Sequence, residues 1–149
     1  MTPPLLQVTD FSLAYRVAGK LQPALQHITL QLAAGECYGL VGESGSGKST
    51  LGLAALGYLA HNAHVTSGQI IWQGKSLLDE PLGQRRLRWG RELSYMPQDP
   101  LAALNPSFRI GFQIAEVLQQ HLKLSAAAAH AQAIDWLASM QLPSPAELA

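Results

Sequence analysis

Gly42, Gly45, Ser46, Gly47, Lys48, Ser49 and Thr50 are the residues whose types and spacing carry chemistry in this chain. They lie in Leu40-Val41-Gly42-Glu43-Ser44-Gly45-Ser46-Gly47-Lys48-Ser49-Thr50, a glycine-rich turn that leaves an apolar segment and enters a helical one. Glycines at 42, 45 and 47 permit positive φ and keep side chains clear, so the amides of residues 45 to 49 can turn inward around an anion. Those amides run into a helix N-terminus, whose unpaired N–H groups and partial positive charge favour phosphate. Lys48 then neutralises β- and γ-phosphates, Ser49 offers a hydroxyl to Mg²⁺, and Thr50 is placed to touch the α-phosphate.

A glycine, four free positions, then Gly-Lys-Ser between a strand and a helix is the P-loop pattern. In a chain of this length the bare pattern arises by chance in about one sequence in two hundred. The flanking elements make chance rarer still.

Those elements follow from periodicity and turn chemistry. Alternation predicts a strand over residues 5–15 with Phe11, Leu13 and Tyr15 on one face, a turn over 17–23 and a second strand over 24–32. A turn at 33–36 leads into a strand over 37–41, which feeds the glycine-rich loop. Leu51, Ala55, Tyr58 and Leu59 repeat at helical spacing, in a helix expected to end near His61-Asn62. A strand over 69–73, a turn at 79–83 around Pro81, a short helix over 82–89 and a strand over 92–96 follow, and Leu77-Leu78-Asp79-Glu80 also reads as a turn. Pro97-Gln98-Asp99-Pro100 and Asn105-Pro106 interrupt regular structure. Ile110, Ile114, Val117 and Leu118 mark an amphipathic helix, and Ser125 caps another over 126–140, which Pro143 and Pro145 end. Arg85, Arg86, Arg88 and Arg91 read as a solvated helix face, since no aromatics interleave with them.

Bulk properties narrow the function classes. The chain has 149 residues, enough for about one domain with its own core. Its net charge is zero and 13% of residues are charged, which gives no electrostatic basis for nucleic-acid binding. Cys37, the single cysteine, reads as a small buried residue in a reducing compartment. Residues 49–74 lack charge, but His61, Asn62, His64, Thr66, Ser67 and several glycines leave only 51–60 consistently apolar, too little to span a bilayer. The N-terminus lacks a secretory pattern. The expectation is a soluble chain, or one held at a membrane through a protein partner.

Joined to Tyr95-Met96-Pro97-Gln98-Asp99-Pro100-Leu101 and Leu104-Asn105-Pro106, the loop makes the chain resemble the ATP-binding subunits of ABC transporters, most closely the peptide/nickel importer branch. The resemblance implies an α/β fold: a P-loop NTPase of the ABC type with an N-terminal antiparallel β subdomain and the start of a helical subdomain. It divides the chain into residues 1–109, core and β subdomain through the Q-loop, and 110–149. It makes Gly42 to Ser49 the Walker A motif and Gln98 the Q-loop glutamine that approaches Mg²⁺ and the γ-phosphate. Pro97 departs from the usual apolar residue and stiffens that hinge. Tyr15 falls where the family stacks an aromatic on adenine. ATP and Mg²⁺ are the implied ligands, and Lys48 and Gln98 the residues nearest the chemistry. The implied partners are transmembrane permease subunits and a second ATP-binding subunit, with attachment to the cytoplasmic face of the membrane only through them. The family places its signature motif, Walker B strand, switch histidine and later core strands after the region that ends here at Ala149. These residues are therefore expected to bind nucleotide better than they hydrolyse it. The alternative is a non-catalytic fragment that acts by docking or does not fold alone.

Overall fold

The computed structural model describes residues 3–149, the side chain of Ala102 excepted. They form two compact units that divide between Tyr95 and Met96, rather than at residue 109 where the sequence reading splits the chain. Gln98 and Asn105 therefore lie with the helices that follow them.

The first unit contains β1 (Leu6–Val17), β2 (Lys20–Leu32), α1 (Lys48–Ala55), β3 (Ala63–Trp72), β4 (Lys75–Ser76) and α2 (Leu82–Arg88). The strands make one antiparallel sheet in the order β2-β1-β3-β4, the N-terminal antiparallel layer that the resemblance implies. Two hairpins set its registers. Ala18 and Gly19, at φ 48° and 79°, join β1 to β2. Gln73 and Gly74, at φ 49° and 79°, join β3 to β4. Positive φ at both central residues matches the twist of the flanking strands, and this reduces the expected long turn at 17–23 to two residues. Pro23 then falls within β2, where an edge strand tolerates its missing N–H.

Strict alternation in β1 fails at a bulge. Asp10, at φ 47°, shifts the register, and Phe11 to Ala14 are all buried. The kink is held by side chains: Thr29 Oγ1 accepts from the Asp10 amide at 3.0 Å, and Ser12 Oγ accepts from that of His27 at 2.9 Å. Phe11 and Leu13 share a core with Val8, Leu25, Leu51, Ala54, Ile70, Trp72 and Leu77, and Tyr15 packs at its margin. Each large side chain buried there contributes about 2 kcal/mol. The core seats α1 on the sheet.

Four expectations change. Residues 37–41 are extended but not a strand, because no neighbour among the described residues pairs with them; Val41 is 99% exposed. Cys37 is consequently exposed, not buried. Residues 92–96 likewise lack a strand partner beyond a single bridge from Leu93 to Trp89. The helix after the loop stops at Leu56, short of His61, because Gly57 takes φ 74°. The Gly57 amide donates to Ala54 O at 2.9 Å and that of Tyr58 to Leu53 O at 3.0 Å, the pair of bonds that closes a helix around a left-handed glycine.

The second unit contains a single 3₁₀ turn (Leu101–Ala103), α3 (Ile110–Leu122), α4 (Ala126–Ser139) and α5 (Pro145–Leu148). Ser125 caps α4, as its position predicts, with Oγ accepting from the Ala128 amide at 3.3 Å. Of the Ile110, Ile114, Val117 and Leu118 stripe read from the sequence, Leu118 is buried and Ile114 packs at the margin, while Ile110 and Val117 are exposed and Gly111 and Ala115 complete the buried face. Ala129 and Ala133 of α4 are fully buried beside Ala115, and such small residues let two helices approach more closely than an isoleucine stripe allows.

Candidate phosphate-binding site

The glycine-rich loop owes its shape to residues that a side chain would spoil. Gly47 occupies the N-cap of α1 at φ 90°, and a Cβ there would lie 2.8 Å from Ala24 O and from a Leu25 methyl. Only glycine satisfies both the backbone and the space. Gly45 also takes positive φ, 81°. At Gly42 a Cβ would meet Ser46 Oγ at 2.8 Å, so a larger residue there requires the serine hydroxyl to turn away.

The loop presents donors outward. The Ser46 amide donates to Glu43 O at 3.2 Å, and that of Leu51 to Gly47 O at 2.8 Å, which closes the first turn of α1. The amides of Lys48, Ser49 and Thr50 precede any intrahelical acceptor. Because the N-cap is glycine and supplies no side-chain acceptor, those amides stay open to an incoming anion at the positive end of the helix.

Lys48 folds back over the turn. Its Nζ donates to Gly42 O at 2.7 Å, Glu43 O at 2.6 Å and Ser46 Oγ at 3.3 Å. The cation thus closes the loop on itself. Ser49 is exposed on the first turn, while the Thr50 hydroxyl receives a 3.2 Å hydrogen bond from Tyr15 Oη. Tyr15 is half-buried, and its phenol is tied to α1 at the position expected to face the α-phosphate. The structure therefore brings Tyr15, Gly42, Gly45, Ser46, Gly47, Lys48, Ser49 and Thr50 into one unit. Gln98 is exposed and belongs to the other.

The far end of α1 is fixed by Trp89 and by Arg85, one of the arginines the sequence reading assigned to solvent. Arg85 Nη1 donates to Gly57 O at 2.7 Å and Trp89 Nε1 to Leu56 O at 2.8 Å, which satisfies carbonyls at the negative end of the helix. Arg88 reaches Glu80 at 2.7 Å and Glu92 at 2.9 Å, and Glu92 also accepts from Trp72 Nε1 at 3.1 Å. Arg85 and Arg88 are half-buried, so only Arg86 and Arg91 form the expected solvated face. The Arg88 hydrogen bond holds the Glu80 carboxyl below its ordinary range, and those from Arg88 and Trp72 do the same for Glu92. Glu80, the last residue of Leu77-Leu78-Asp79-Glu80, is thereby committed to Arg88. Near Leu53, Leu56, Tyr58, Trp89, Leu93 and Tyr95 an open cleft of about 390 Å³ adjoins the same end of α1. Its walls are apolar, so it does not compete with the loop for an anion.

Donor chemistry also bears on a metal. Among the described residues no cluster of three or more His, Cys, Asp or Glu side chains could hold a metal ion. The hydroxyl of Ser49 is a hard oxygen donor of the kind Mg²⁺ accepts when phosphate and water supply its other ligands. Likewise, no helix among the described residues is long and apolar enough to cross a membrane.

The comparisons with known proteins agree on one family. Residues 25–147 match the ABC transporter family. The chain is 37% identical to the probable D,D-dipeptide transport ATP-binding protein DdpD of Escherichia coli, over 99% of this chain and 45% of that protein. It is 34% identical to the oligopeptide transport ATP-binding protein OppD of Bacillus subtilis, over 95% of this chain and 40% of that one. With the peptidoglycan transport ATP-binding protein YejF of Agrobacterium fabrum the identity is 35%, over 97% and 27%. The chain spans less than half the length of each of these relatives. A glycine-rich loop within the matched region, an antiparallel sheet whose strands flank it in sequence and a family match over most of the chain together mean that this chain belongs to the ABC transporter family and carries part of its nucleotide-binding domain.

Proposed function

We propose that the chain is the ATP-binding, energy-coupling part of an importer for peptides or related small solutes. The observation that carries this reading is the Lys48 ammonium folded onto the Gly42 and Glu43 carbonyls of the glycine turn, beside a helix N-terminus whose cap supplies no side-chain acceptor. The Lys48 ammonium exchanges its loop carbonyls for β- and γ-phosphate oxygens, and the Lys48 to Thr50 amides hold the remaining charge without reorganising. Ser49 would hold Mg²⁺, and by the family resemblance Gln98 would offer it a further oxygen. When bound, Mg²⁺ neutralises charge that builds on the phosphates. Tyr15 packs against the base while its hydroxyl remains on Thr50.

The names of the relatives, dipeptide and oligopeptide transport ATP-binding proteins, support a peptide-like solute; transmembrane permease partners and a second ATP-binding subunit are what the family resemblance implies. In this reading the chain sits at the cytoplasmic face of the membrane through those permeases. Hydrolysis further requires carboxylates to position water and hold the metal. No signature or Walker B motif follows Gln98 within these 149 residues, so the isolated chain is expected to bind ATP and turn it over slowly.

The test is the melting temperature of the purified chain with and without Mg-ATP, beside Lys48→Ala. A ligand specific to the folded state adds about 2.7 kcal/mol at a hundredfold excess over its dissociation constant. A cooperative transition raised by ATP in the original and not in the variant supports the proposal. An unmoved transition refutes ATP binding. A turnover number typical of ABC ATPases, abolished by Lys48→Ala, refutes the statement on slow turnover.

A further inference from the structure

We infer that Gln113 is a positioning residue for the segment that carries Gln98, an inference that rests on the ATP-binding reading above. Gln113 stands one turn inside α3, and its side chain reaches back past the start of the helix. Its Oε1 accepts from the Asn105 amide at 2.9 Å, while its Nε2 donates to Asn105 O at 3.0 Å and to Phe108 O at 3.1 Å. The carboxamide thus engages both polar groups of one peptide residue, as a neighbouring strand would.

The backbone it grips has few other options. Pro106 has no N–H and holds Asn105 extended, so Asn105 cannot use its amide in a continuing helix. Arg109, the N-cap of α3, contributes no side-chain cap. Gln113 bonds the loop ahead of the helix rather than the first amides of α3, and so ties that loop to the helix body.

Upstream of Asn105 the chain is tied by short-range bonds. Asp99 Oδ1 accepts from the Leu101 amide at 3.1 Å, the Ala103 amide donates to Pro100 O at 3.2 Å, and that of Leu104 to Leu101 O at 3.1 Å. Downstream, Asn105 Oδ1 accepts from the Ser107 amide at 3.0 Å, and Phe108 N–H donates to Asn105 O at 3.2 Å. Residues 99–108 therefore hold their own shape, and Gln113 is the bond set that orients this shape on α3. Gln98 is attached to its leading end, so the direction in which its amide is offered follows from the Gln113 grip.

The test uses the full chain, Gln113→Ala and Gln113→Glu, the latter keeping the acceptor for Asn105 N–H and removing both donors. A fluorescent ATP analogue is titrated with and without Mg²⁺, and tryptic cleavage at Arg109–Ile110 is timed in parallel. Both variants are expected to be cut about tenfold faster and to lose about tenfold of the affinity gained from Mg²⁺, with Mg²⁺-free affinity unchanged. Faster cleavage with the Mg²⁺ gain intact makes Gln113 a structural residue only and overturns the inference. Unchanged cleavage in both variants overturns the grip itself. An unaltered chain that fails to bind the analogue, or gains nothing from Mg²⁺, overturns the positioning role too; only failure to bind also removes the ATP-binding reading beneath it.

Discussion

Tyr15 Oη donates to Thr50 Oγ1 across 3.2 Å, a hydrogen bond between the first strand and the first turn of α1. It joins a residue expected to meet the base to one expected to meet the α-phosphate, and makes them a single mechanical unit. Tyr15→Phe keeps the ring and removes this bond, at a cost of about 1 kcal/mol. The expected readout is a melting temperature lower by about 4–8 °C, with ATP binding retained. Tyr15→Ala is expected to weaken ATP binding as well, which an ATP titration of both variants checks.

Gly47→Ala is expected to be worse than loss of one contact. The new methyl would lie 2.8 Å from Ala24 O and from Leu25 Cδ2, at φ 90°. The left-handed backbone alone costs about 1–2 kcal/mol, and the carbonyl cannot move without disturbing β2. Denaturant unfolding should show the loss, and the melting shift with Mg-ATP should disappear.

Gly57→Ala tests the opposite end of the helix. Here φ is 74°, and a Cβ would meet Leu77 Cγ at 3.0 Å and Arg85 Cδ at 3.1 Å. The expected destabilisation is about 1–3 kcal/mol. Trp89→Phe, which loses the bond to Leu56 O and part of the ring packed near Tyr58, should cost at least about 1 kcal/mol. The two variants compared by denaturant midpoint separate backbone strain from capping.

Acid should weaken the first unit through the Arg88 network. Glu80 and Glu92 have folded-state pKa values lowered from 4.5, chiefly by their hydrogen bonds to Arg88. A lowered folded pKa contributes stability that is fully present above the ordinary carboxylate range. It is lost as pH falls through the folded-state values. Between pH 7 and pH 3 the unaltered chain should therefore lose more stability than Arg88→Met, whose carboxylates have no guanidinium to favour ionisation. Parallel urea titrations across that range measure the difference in slope.

The loop itself was legible because each of its positions answers to a local requirement: φ at Gly45 and Gly47, charge at Lys48, a hydroxyl at Ser49. Ser125 and the turn at Asp79 were legible for the same reason. Residues 37–41 and 92–96 were not, since a strand is defined by its neighbour and apolar sequence does not say whether a neighbour is there. Nor did spacing reveal Arg85, Arg88 and Trp89, whose partners Gly57, Glu80 and Leu56 lie across a fold that local pattern does not encode. Gln113 carried no signal either, as its partners are backbone groups. Tyr15 was singled out by resemblance, and its bond to Thr50 emerged only once sheet and helix were packed together.

The unpaired stretch at 37–41 gives the phosphate loop an asymmetric suspension. On one side Gly47 is wedged against Ala24 and Leu25 and continues into a seated helix; on the other, Val41 is exposed and no strand among the described residues pairs with it. Amide hydrogen exchange should follow this gradient, fastest at 38–41 and slowing toward Leu51. Capture of an anion by the loop is expected to order this exposed stretch. The measured affinity therefore contains an ordering cost, and a strand laid beside residues 37–41 would raise that affinity without touching the ligand.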